Sequence, residues 1–514
     1  MSSLGPVVIG VDVGTYETKG VLVDRAGAIV AQHRRAHRVS MPEPGFVEHD
    51  PIAVWWDGFV ETARALLADA PVQASDVQAI AVSGIGPCVL PIDGSGVPLR
   101  DAILYGVDAR ASTQINELTA RMGAENIRRK SGTDLSSQSA GPKILWIEQN
   151  EPEIFARAAL FVTCQTFIVG RLTGQWVIDH ATGAYFHPFY DRGRGEWDTA
   201  DVPSALRTEQ LPGLAWSSEI AGTITAEAAQ ATGLRTGTPV LAGAPDAPAE
   251  AFSAGVADAG DMMLMYGSSH FIIEVVDEQH TSRKLWPAPF LLPGTHLVAA
   301  GTSTAGSFTR WYADLVAADD ASTDDVYTAL TRLAAASPPG ANGLIALPYL
   351  SGERTPLYDP DARGAFLGLR LDHGRGDLAR AVVEAIAQSA AAAVRQYDTE
   401  DLEPTRIRAV GGGTKNAVWT QVVSDILGRR QEVVRGPGAC YGDAMLAGLA
   451  AGFLPGRAAA RDWVSPGETV EPRPGLRTLY ERQRRVFEQL YQTTRPVLAA
   501  LRELHDTTNE EDHA

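Results

Sequence analysis

Residues 7–23 have the sequence VVIGVDVGTYETKGVLV. The first apolar run ends at Asp12 and Gly14, and a second apolar run follows Lys19. Two short β-type runs separated by a polar glycine turn are typical of a β-hairpin. We therefore expect the chain to open with two antiparallel strands joined by a tight turn.

Beyond this hairpin, short β-type runs alternate with helical patterns. Helical spacing of apolar residues covers 55–68 and 378–397, and the second of these segments is apolar enough to be buried. Strands are expected near residues 79–82, 240–242, 262–266, 344–347 and 407–410. This alternation predicts an α/β fold.

The chain is expected to form two related lobes. The order strand, glycine turn, strand at residues 7–23 recurs at residues 262–276. Gly, Ala and Pro accumulate around residues 243–255, as is typical of a boundary. We expect an N-terminal lobe over 1–245, a C-terminal lobe over 246–500 and an acidic tail over 501–514.

Composition excludes several classes of function. The 514 residues include 44 Lys and Arg against 62 Asp and Glu, a net charge of -18, which has the wrong sign for binding nucleic acid. No apolar run is long enough to cross a membrane, and the N-terminus lacks the features of a signal peptide. Cys88, Cys164 and Cys440 show no Cys-x-x-Cys spacing, which disfavours disulfides and structural zinc. A cytoplasmic protein without membrane or nucleic-acid partners is expected.

Three turns that combine glycine with hydroxyl residues follow predicted strands. They are Gly14–Thr15, Gly267–Ser269 and Gly411–Asn416. Each alone is better explained as a tight turn that needs a residue without a side chain. Together, in an α/β chain, they favour phosphate binding, because the backbone N–H groups of such turns can surround phosphate oxygens.

Two aspartates stand at predicted strand ends. Asp12 could hold Mg²⁺ through water or could simply close an Asx turn, and Lys19 could neutralise phosphate or be merely solvated. Asp246 lies in the rigid turn GAPDAP after the strand at 240–242. Because the carboxyl ends of strands line the clefts of α/β proteins, Asp246 is a candidate catalytic residue, with turn or cap duty as the alternative.

These segments resemble the FGGY family of carbohydrate kinases, and within it most closely its xylulose kinases. The resemblance extends from about residue 7 to about residue 490. The segment 351–364 is similar to the ketopentose-kinase branch rather than to the glycerol-kinase branch. The most specific segments are Asp12 with Gly14, Thr15 and Lys19; Gly364 to Leu369 followed by Asp377, Leu378 and Glu384; and Gly411 to Gly428.

The resemblance implies two ribonuclease-H-like lobes of the actin and hexokinase type flanking a central cleft, with ATP and Mg²⁺ as cofactors. It places Asp246 on the family's general base and Asp12 on its Mg²⁺-associated carboxylate. A homodimer is also expected on this ground. The residues implied in binding the nucleotide and its phosphates are Thr15, Lys19, Gly267, Ser268, Gly306, Arg310, Gly412 and Asn416.

The implied substrate is a small ketose or polyol, with a D-xylulose-like sugar as the best candidate. Ile85, Gly86 and Pro87 stand where xylulose kinases carry a Gln, Met and His run that contacts sugar, and Ala247 replaces an Asn. Other acceptors therefore stay open, namely glycerol, a sugar acid or another pentulose or hexulose, as does a non-catalytic ATP-binding regulator. The residues implied in substrate binding are Gly84, Ile85, Gly86, Tyr105, Asp108, Arg110 and Asp246; Asp108 and Arg110 could instead form an intrachain ion pair.

Overall fold

The computed structural model describes residues 5–316, 326–436, 438–465 and 467–511. These residues form two compact units, and the chain passes between the units more than once. The first unit comprises the described residues of 1–259, 275–298 and 436–465, and the second those of 260–274, 299–435 and 466–514. Sheets and helices occur in both units, so the predicted α/β class is confirmed.

The strands of the described residues are, in chain order, β1 (Val7–Val13), β2 (Glu17–Asp24), β3 (Ile29–Ala36), β4 (Glu48–His49), β5 (Val77–Gly84), β6 (Leu90–Ile92), β7 (Ala102–Ile103), β8 (Leu160–Val162), β9 (Val177–Asp179), β10 (Tyr190–Asp191), β11 (Glu196–Trp197), β12 (Gly213–Ala215), β13 (Ile220–Thr223), β14 (Pro239–Leu241), β15 (Ala244–Pro245), β16 (Asp261–Tyr266), β17 (His270–Val276), β18 (Trp286–Pro289), β19 (His296–Gly301), β20 (Ile345–Leu347), β21 (Ala365–Leu367), β22 (Arg406–Val410), β23 (Gln431–Val433) and β24 (Thr469–Val470). The α-helices are α1 (Asp57–Asp69), α2 (Ser112–Met122), α3 (Ala124–Ser131), α4 (Ala140–Asn150), α5 (Pro152–Arg157), α6 (Cys164–Thr173), α7 (His180–Gly183), α8 (Ala226–Thr232), α9 (Asp246–Ser253), α10 (Gly306–Val316), α11 (Val326–Ala336), α12 (Arg375–Asp398), α13 (Ala417–Leu427), α14 (Ala439–Ala450) and α15 (Arg477–Glu511).

The first sheet has the strand order β13-β14-β5-β1-β2-β3, with β15 also paired to β5. β1 runs antiparallel to β2, as the hairpin prediction requires, and parallel to β5. Its seven residues are all buried, because helices cover both faces of the sheet at this point. Helix α14 packs against Gly10 on one face, and Thr62 and Leu66 of α1 lie against Gly20 on the other.

The second sheet has the strand order β18-β19-β17-β16-β22-β23-β24. β16 is antiparallel to β17 and parallel to β22, which repeats the arrangement of β1, β2 and β5. Helix α12, predicted to be buried, is buried over most of its length and packs against α10, α11 and α13. The recurrence of this mixed-sheet pattern agrees with the two ribonuclease-H-like lobes that the resemblance implied.

The lobe limits expected at 245 and 500 stay predictions of the sequence. Helices α9 and α14, which follow position 245 in the chain, pack in the first unit. The expected acidic tail is helical as far as Glu511, where α15 ends. None of the helices in the described ranges is both long enough and apolar enough to span a membrane.

Candidate active site

Three strands of the first sheet end side by side. Asp12 of β1 pairs in register with Ser83 of β5, and Ala244 of β15 pairs with the same serine from the other side. Asp246 follows β15 directly. Since the three strands are parallel, their carboxyl ends meet at the same sheet edge, which brings both predicted aspartates there.

Asp246 is the first residue of α9, and its Oδ1 accepts a hydrogen bond from the Ala247 N–H at 2.8 Å. Burial raises the pKa of Asp246 to about 6; the charge of Glu250 adds to this shift, while the Ala247 N–H and Lys19 oppose it. A carboxyl group with a pKa just below neutrality is ionised at pH 7 and still basic enough to accept a proton. Asp246 therefore stays a candidate general base.

Asp12 stands directly opposite Lys19 in the antiparallel pairing of β1 with β2. Burial and the charge of Asp246 together raise the pKa of Asp12 to about 7, against the opposing effect of Lys19. The resulting excess of negative charge suits a bound cation. Among the residues that the structure describes, no group of three or more His, Cys, Asp or Glu side chains is placed to hold a metal ion. Asp12 is a carboxylate of the kind through which Mg²⁺, with water and phosphate oxygens as its other ligands, is usually held.

The turn after β1 is held in place by its neighbours. The Gly14 N–H donates to the Glu17 carbonyl oxygen at 3.0 Å, and Thr15 Oγ1 lies 3.4 Å from the Tyr105 hydroxyl. His49 Nε2 lies 3.1 Å from the Thr15 carbonyl oxygen. Burial lowers the pKa of His49 to about 4, so this ring is neutral at pH 7 and serves as a structural donor.

Several predicted substrate residues lie at the same edge. Gly84 has no room for a side chain, because a Cβ atom there would lie 2.9 Å from Cys164 Cβ. Ile85 is fully buried, and its N–H donates to the Val13 carbonyl oxygen at 2.9 Å. Tyr105 reaches this edge through its hydroxyl, which lies 3.4 Å from Thr15 Oγ1, and burial and then the charge of Asp246 raise its pKa.

Asp108 and Arg110 form a buried ion pair. Arg110 Nη2 lies 2.7 Å from Asp108 Oδ2, and Arg110 Nη1 donates to Glu48 Oε1 at 2.7 Å. The guanidinium lies 4.0 Å from the centre of the Phe46 ring. Asp108 and Arg110 thus bind each other, as the alternative of an intrachain ion pair predicts. A direct contact of either residue with substrate stays a prediction.

The second unit contains a pocket of about 800 Å³ at the end of its sheet. Six of the eight residues implied in nucleotide binding line it, together with the aromatic rings of Tyr266, Trp311 and Trp419. These six are Gly267, Ser268, Gly306, Arg310, Gly412 and Asn416.

Close backbone packing shapes this pocket. The N–H of Gly306 donates to the Gly267 carbonyl oxygen at 3.0 Å, and a Cβ on Gly306 would lie 2.6 Å from that oxygen. Asn416 Oδ1 accepts from the Trp419 N–H at 3.1 Å and so caps α13. Arg310 pairs with Asp314 at 2.9 Å. The predicted nucleotide residues thus have defined structural roles at the pocket wall.

Three further polar residues at the first site were not assigned a role by sequence reasoning. Ser83 bonds to both Asp12 and Asp443, and Glu250 lies one helical turn after Asp246. Burial and then the charge of Asp12 raise the pKa of Glu250 to about 7. The available signal was Asp443 itself, the sole charged residue in the apolar helix ACYGDAMLAGLA.

Comparisons with known proteins agree with this geometry. The chain is 29% identical over 496 residues to a xylulose kinase of Escherichia coli, covering 96% of this chain and all 100% of that protein. A gluconokinase of Bacillus subtilis is 26% identical over 427 residues, or 82% of each chain. The crystal structure of a xylulose kinase from Rhodospirillum rubrum superposes with a TM-score of 0.89 and 33% identity, covering 96% of this chain and 100% of that one.

Two domain families account for most of the sequence. The N-terminal domain of the FGGY family of carbohydrate kinases matches residues 7–253, and the C-terminal domain of the same family matches residues 262–451. With its two α/β units and the similarities above, the chain belongs to the FGGY family of carbohydrate kinases.

Proposed function

We propose that this carbohydrate kinase transfers the γ-phosphoryl group of ATP to a hydroxyl of a small ketose or polyol, with a D-xylulose-like sugar as the best candidate. The observation that carries the proposal is Asp246, a carboxyl group with a pKa of about 6 at the same strand ends as Asp12. The similarity to proteins named xylulose kinase supports the choice of substrate class.

Asp246 accepts the proton of the acceptor hydroxyl as that oxygen bonds to the γ-phosphorus and ADP leaves. A positioned general base contributes about 10² to 10⁴ in rate. The larger share comes from charge neutralisation and positioning, because phosphoryl transfer has a loose transition state. Lys19 and the backbone N–H of Thr15 provide part of this, and Mg²⁺ held at Asp12 would neutralise phosphate charge.

The pocket of the second unit is proposed to hold the nucleotide. Its volume of about 800 Å³ falls in the range typical of cofactor sites. Tyr266 and Trp419 offer aromatic surface, and Lys415 offers positive charge for phosphate, as Arg310 does once it exchanges Asp314 for the ligand. The glycine backbone of Gly267 and Gly412 permits a close approach of the ligand.

The acceptor is the least determined part of the proposal. Ile85, Gly86 and Ala247 offer no polar side chain, so Tyr105 and Asp246 are the side chains proposed to pair with substrate hydroxyls. Kinases discriminate acceptors by such pairing, because an unpaired buried polar group costs about 1 to 3 kcal/mol. Sugar acids remain candidates, since a similar protein is named gluconokinase.

A cytoplasmic location and a homodimeric assembly are also part of the proposal. The three cysteines are free and buried, which supports a reducing cytoplasm. The homodimer expected from the resemblance stays a prediction, to be checked by light scattering.

The proposal is tested by ADP release from wild type and Asp246→Asn with D-xylulose, other ketoses, xylitol, glycerol and gluconate. We expect one ketose or polyol to stimulate ATP turnover in wild type, and the Asn variant to lose about 10² or more of that rate. ATP binding with no turnover for any acceptor would indicate the non-catalytic regulator instead. Full activity of Asp246→Asn would remove the general base from the mechanism.

A further inference from the structure

Asp443 is fixed against the strand that carries Asp12. Helix α14 lies unusually close to β1, because a Cβ on Gly10 would lie 2.0 Å from the Cys440 carbonyl oxygen. On the same helix, a Cβ on Gly442 would lie 1.9 Å from the Ala249 carbonyl oxygen of α9. Two glycines therefore let α14 approach both elements, and the Cβ of Asp443 lies 3.0 Å from the place that a Cβ on Gly10 would take.

Gly10 and Asp12 are two residues apart in β1, so their Cβ positions share one face of the sheet. That face is the one on which α14 packs. Asp443 and Asp12 consequently meet at Ser83, which lies beside Asp12 in the neighbouring strand β5.

Ser83 contacts both carboxyl groups. Its Oγ lies 2.6 Å from Asp443 Oδ2 and 3.0 Å from Asp12 Oδ1, and its backbone N–H donates to Asp443 Oδ2 at 3.0 Å. A hydroxyl group has one proton and can donate to only one of two carboxylates. If both were ionised, one of these buried contacts would join two oxygen lone pairs without a hydrogen between them. One of the two carboxyl groups must therefore supply a proton of its own.

Asp443 is the better holder of that proton. It is fully buried, its Oδ1 has no hydrogen-bond partner among the described residues, and no cation pairs with it within those ranges. Asp12, in contrast, stands opposite Lys19, whose charge favours the ionised form of Asp12 although the ammonium itself pairs with Glu17. A buried carboxylate without a cation is costly, and its neutral form is much less so. Burial, with the charges of Asp12 and Asp246, raises the pKa of Asp443 well above its usual range, which agrees with this assignment.

We propose that Asp443 is a positioning residue: as a neutral acid it donates from Oδ2 to Ser83 Oγ and so commits the Ser83 hydroxyl proton to Asp12. The donors then point in one direction, from Asp443 through Ser83 to Asp12. Asp12 is thereby oriented and stabilised as an anion, which is the form that associates with Mg²⁺. The association of Asp12 with Mg²⁺ rests on the proposed function, whereas the protonation state of Asp443 does not depend on it.

Asp443→Asn distinguishes the proposed neutral acid from an ionised one. With the amide oxygen in the place of Oδ2, the variant accepts from both the Ser83 N–H and the Ser83 hydroxyl, which turns the hydroxyl proton away from Asp12. We expect the apparent KM for Mg²⁺ to increase by about tenfold or more, because the hydrogen bond from the Ser83 hydroxyl to the ionised Asp12 is lost and bonds to charged groups are among the stronger ones. Ser83→Ala removes the same bond and should have a similar effect. The double variant Ser83→Ala with Asp443→Asn should raise the KM for Mg²⁺ no more than either single variant does, because both substitutions remove the same hydrogen bond.

An ionised Asp443 predicts the opposite result. It would already accept the Ser83 proton, so the Asn variant would keep the wild-type KM for Mg²⁺. That outcome, measured on folded protein as verified by urea unfolding, would overturn the proposal.

Infrared difference spectroscopy tests the assignment without any activity. The spectrum of wild type minus Asp443→Asn at pH 7 should contain the carbonyl band of a protonated carboxyl group, displaced in D₂O. Asp425→Asn is the matched control, because Asp425 is buried and paired with Arg473 at 2.6 Å, and it should remove carboxylate bands instead. Carboxylate bands for Asp443 would disprove the inference. If no acceptor supports ATP turnover, the proposed function fails while this result still decides the state of Asp443.

Discussion

Asp12 in β1 and Lys19 in β2 stand directly opposite each other in the antiparallel pairing that opens the chain. Side chains at such opposed positions share one face of the sheet. Lys19 Nζ pairs with Glu17 Oε1 at 2.8 Å, and its charge also acts on Asp12 and Asp246. Burial raises the pKa of both Asp12 and Asp246, and Lys19 counteracts the increase in each case. Lys19 therefore tunes the candidate base as well as being a candidate contact for phosphate.

The first prediction concerns pH. Because burial raises the pKa of Asp246 to about 6, the base is protonated and inactive below that pH and ionised above it. We expect kcat/KM for the acceptor, measured at saturating Mg²⁺, to fall tenfold per pH unit below about 6 and to be level above it. The residual rate of Asp246→Asn should lack this limb. A wild-type rate that stays constant through the same pH range would contradict the assignment.

Lys19→Gln should shift the acid limb of the pH–rate profile to higher pH. The backbone N–H of Ala247 is the largest influence that lowers the pKa of Asp246, and the charge of Lys19 is a smaller one, so removing the cation moves the acid limb modestly to higher pH. The KM for ATP should also increase, because a positive charge near the phosphates is lost. A pH profile of the variant against wild type checks this, with Arg25→Gln as a charge-matched control in the same unit. A shift to lower pH would show that Lys19 does not act on the base.

A single methyl group should damage the nucleotide pocket. In Gly306→Ala the new Cβ would lie 2.6 Å from the Gly267 carbonyl oxygen, so the two pocket walls must separate. Such overpacking costs about 1 to 3 kcal/mol, and we expect the KM for ATP to increase by about tenfold while the KM for the sugar changes little. Gly475→Ala, in the same unit, is the control, because nothing lies within 4 Å of its added Cβ. Equal KM values for ATP in the two variants would argue against the pocket as the nucleotide site.

Gly442→Ala should destabilise the first unit. Replacing a glycine inside a helix by alanine ordinarily stabilises it by about 1 kcal/mol. Here the Cβ would lie 1.9 Å from the Ala249 carbonyl oxygen, so we expect a loss of about 1 to 3 kcal/mol in the free energy of unfolding. Urea denaturation of this variant beside Gly94→Ala, where no atom lies within 4 Å, measures the difference. A gain in stability would mean that α14 can move away from α9.

The two β-hairpins could be predicted from the sequence, because each depends only on neighbouring residues. The hairpin of β1 and β2 and its counterpart β16 and β17 follow from alternating β-type runs around glycine turns, and both are confirmed. The path of α14 could not be foreseen. Its place against β1 depends on Gly10, which is hundreds of residues earlier in the chain, and no periodicity connects the two.

The same limit applies to the candidate site. Glycine turns and strand-end aspartates were visible because each carries a local signature, and six predicted nucleotide residues converge on one pocket. Asp443 and Glu250 have no such signature, since a carboxyl group in a helix is ordinarily solvated. Their importance appears only when burial places them beside Asp12 and Asp246.

The contact between β1 and α14 also bears on how the protein is made. β1 leaves the ribosome well before the helix that packs on its Asp12 face, because that helix is synthesised more than 400 residues later. During translation that face of β1 is exposed to solvent or is covered by another protein until α14 has been synthesised. A nascent chain released before α14 emerges should therefore bind chaperones and be cleaved readily by protease, although most of the first sheet is already present.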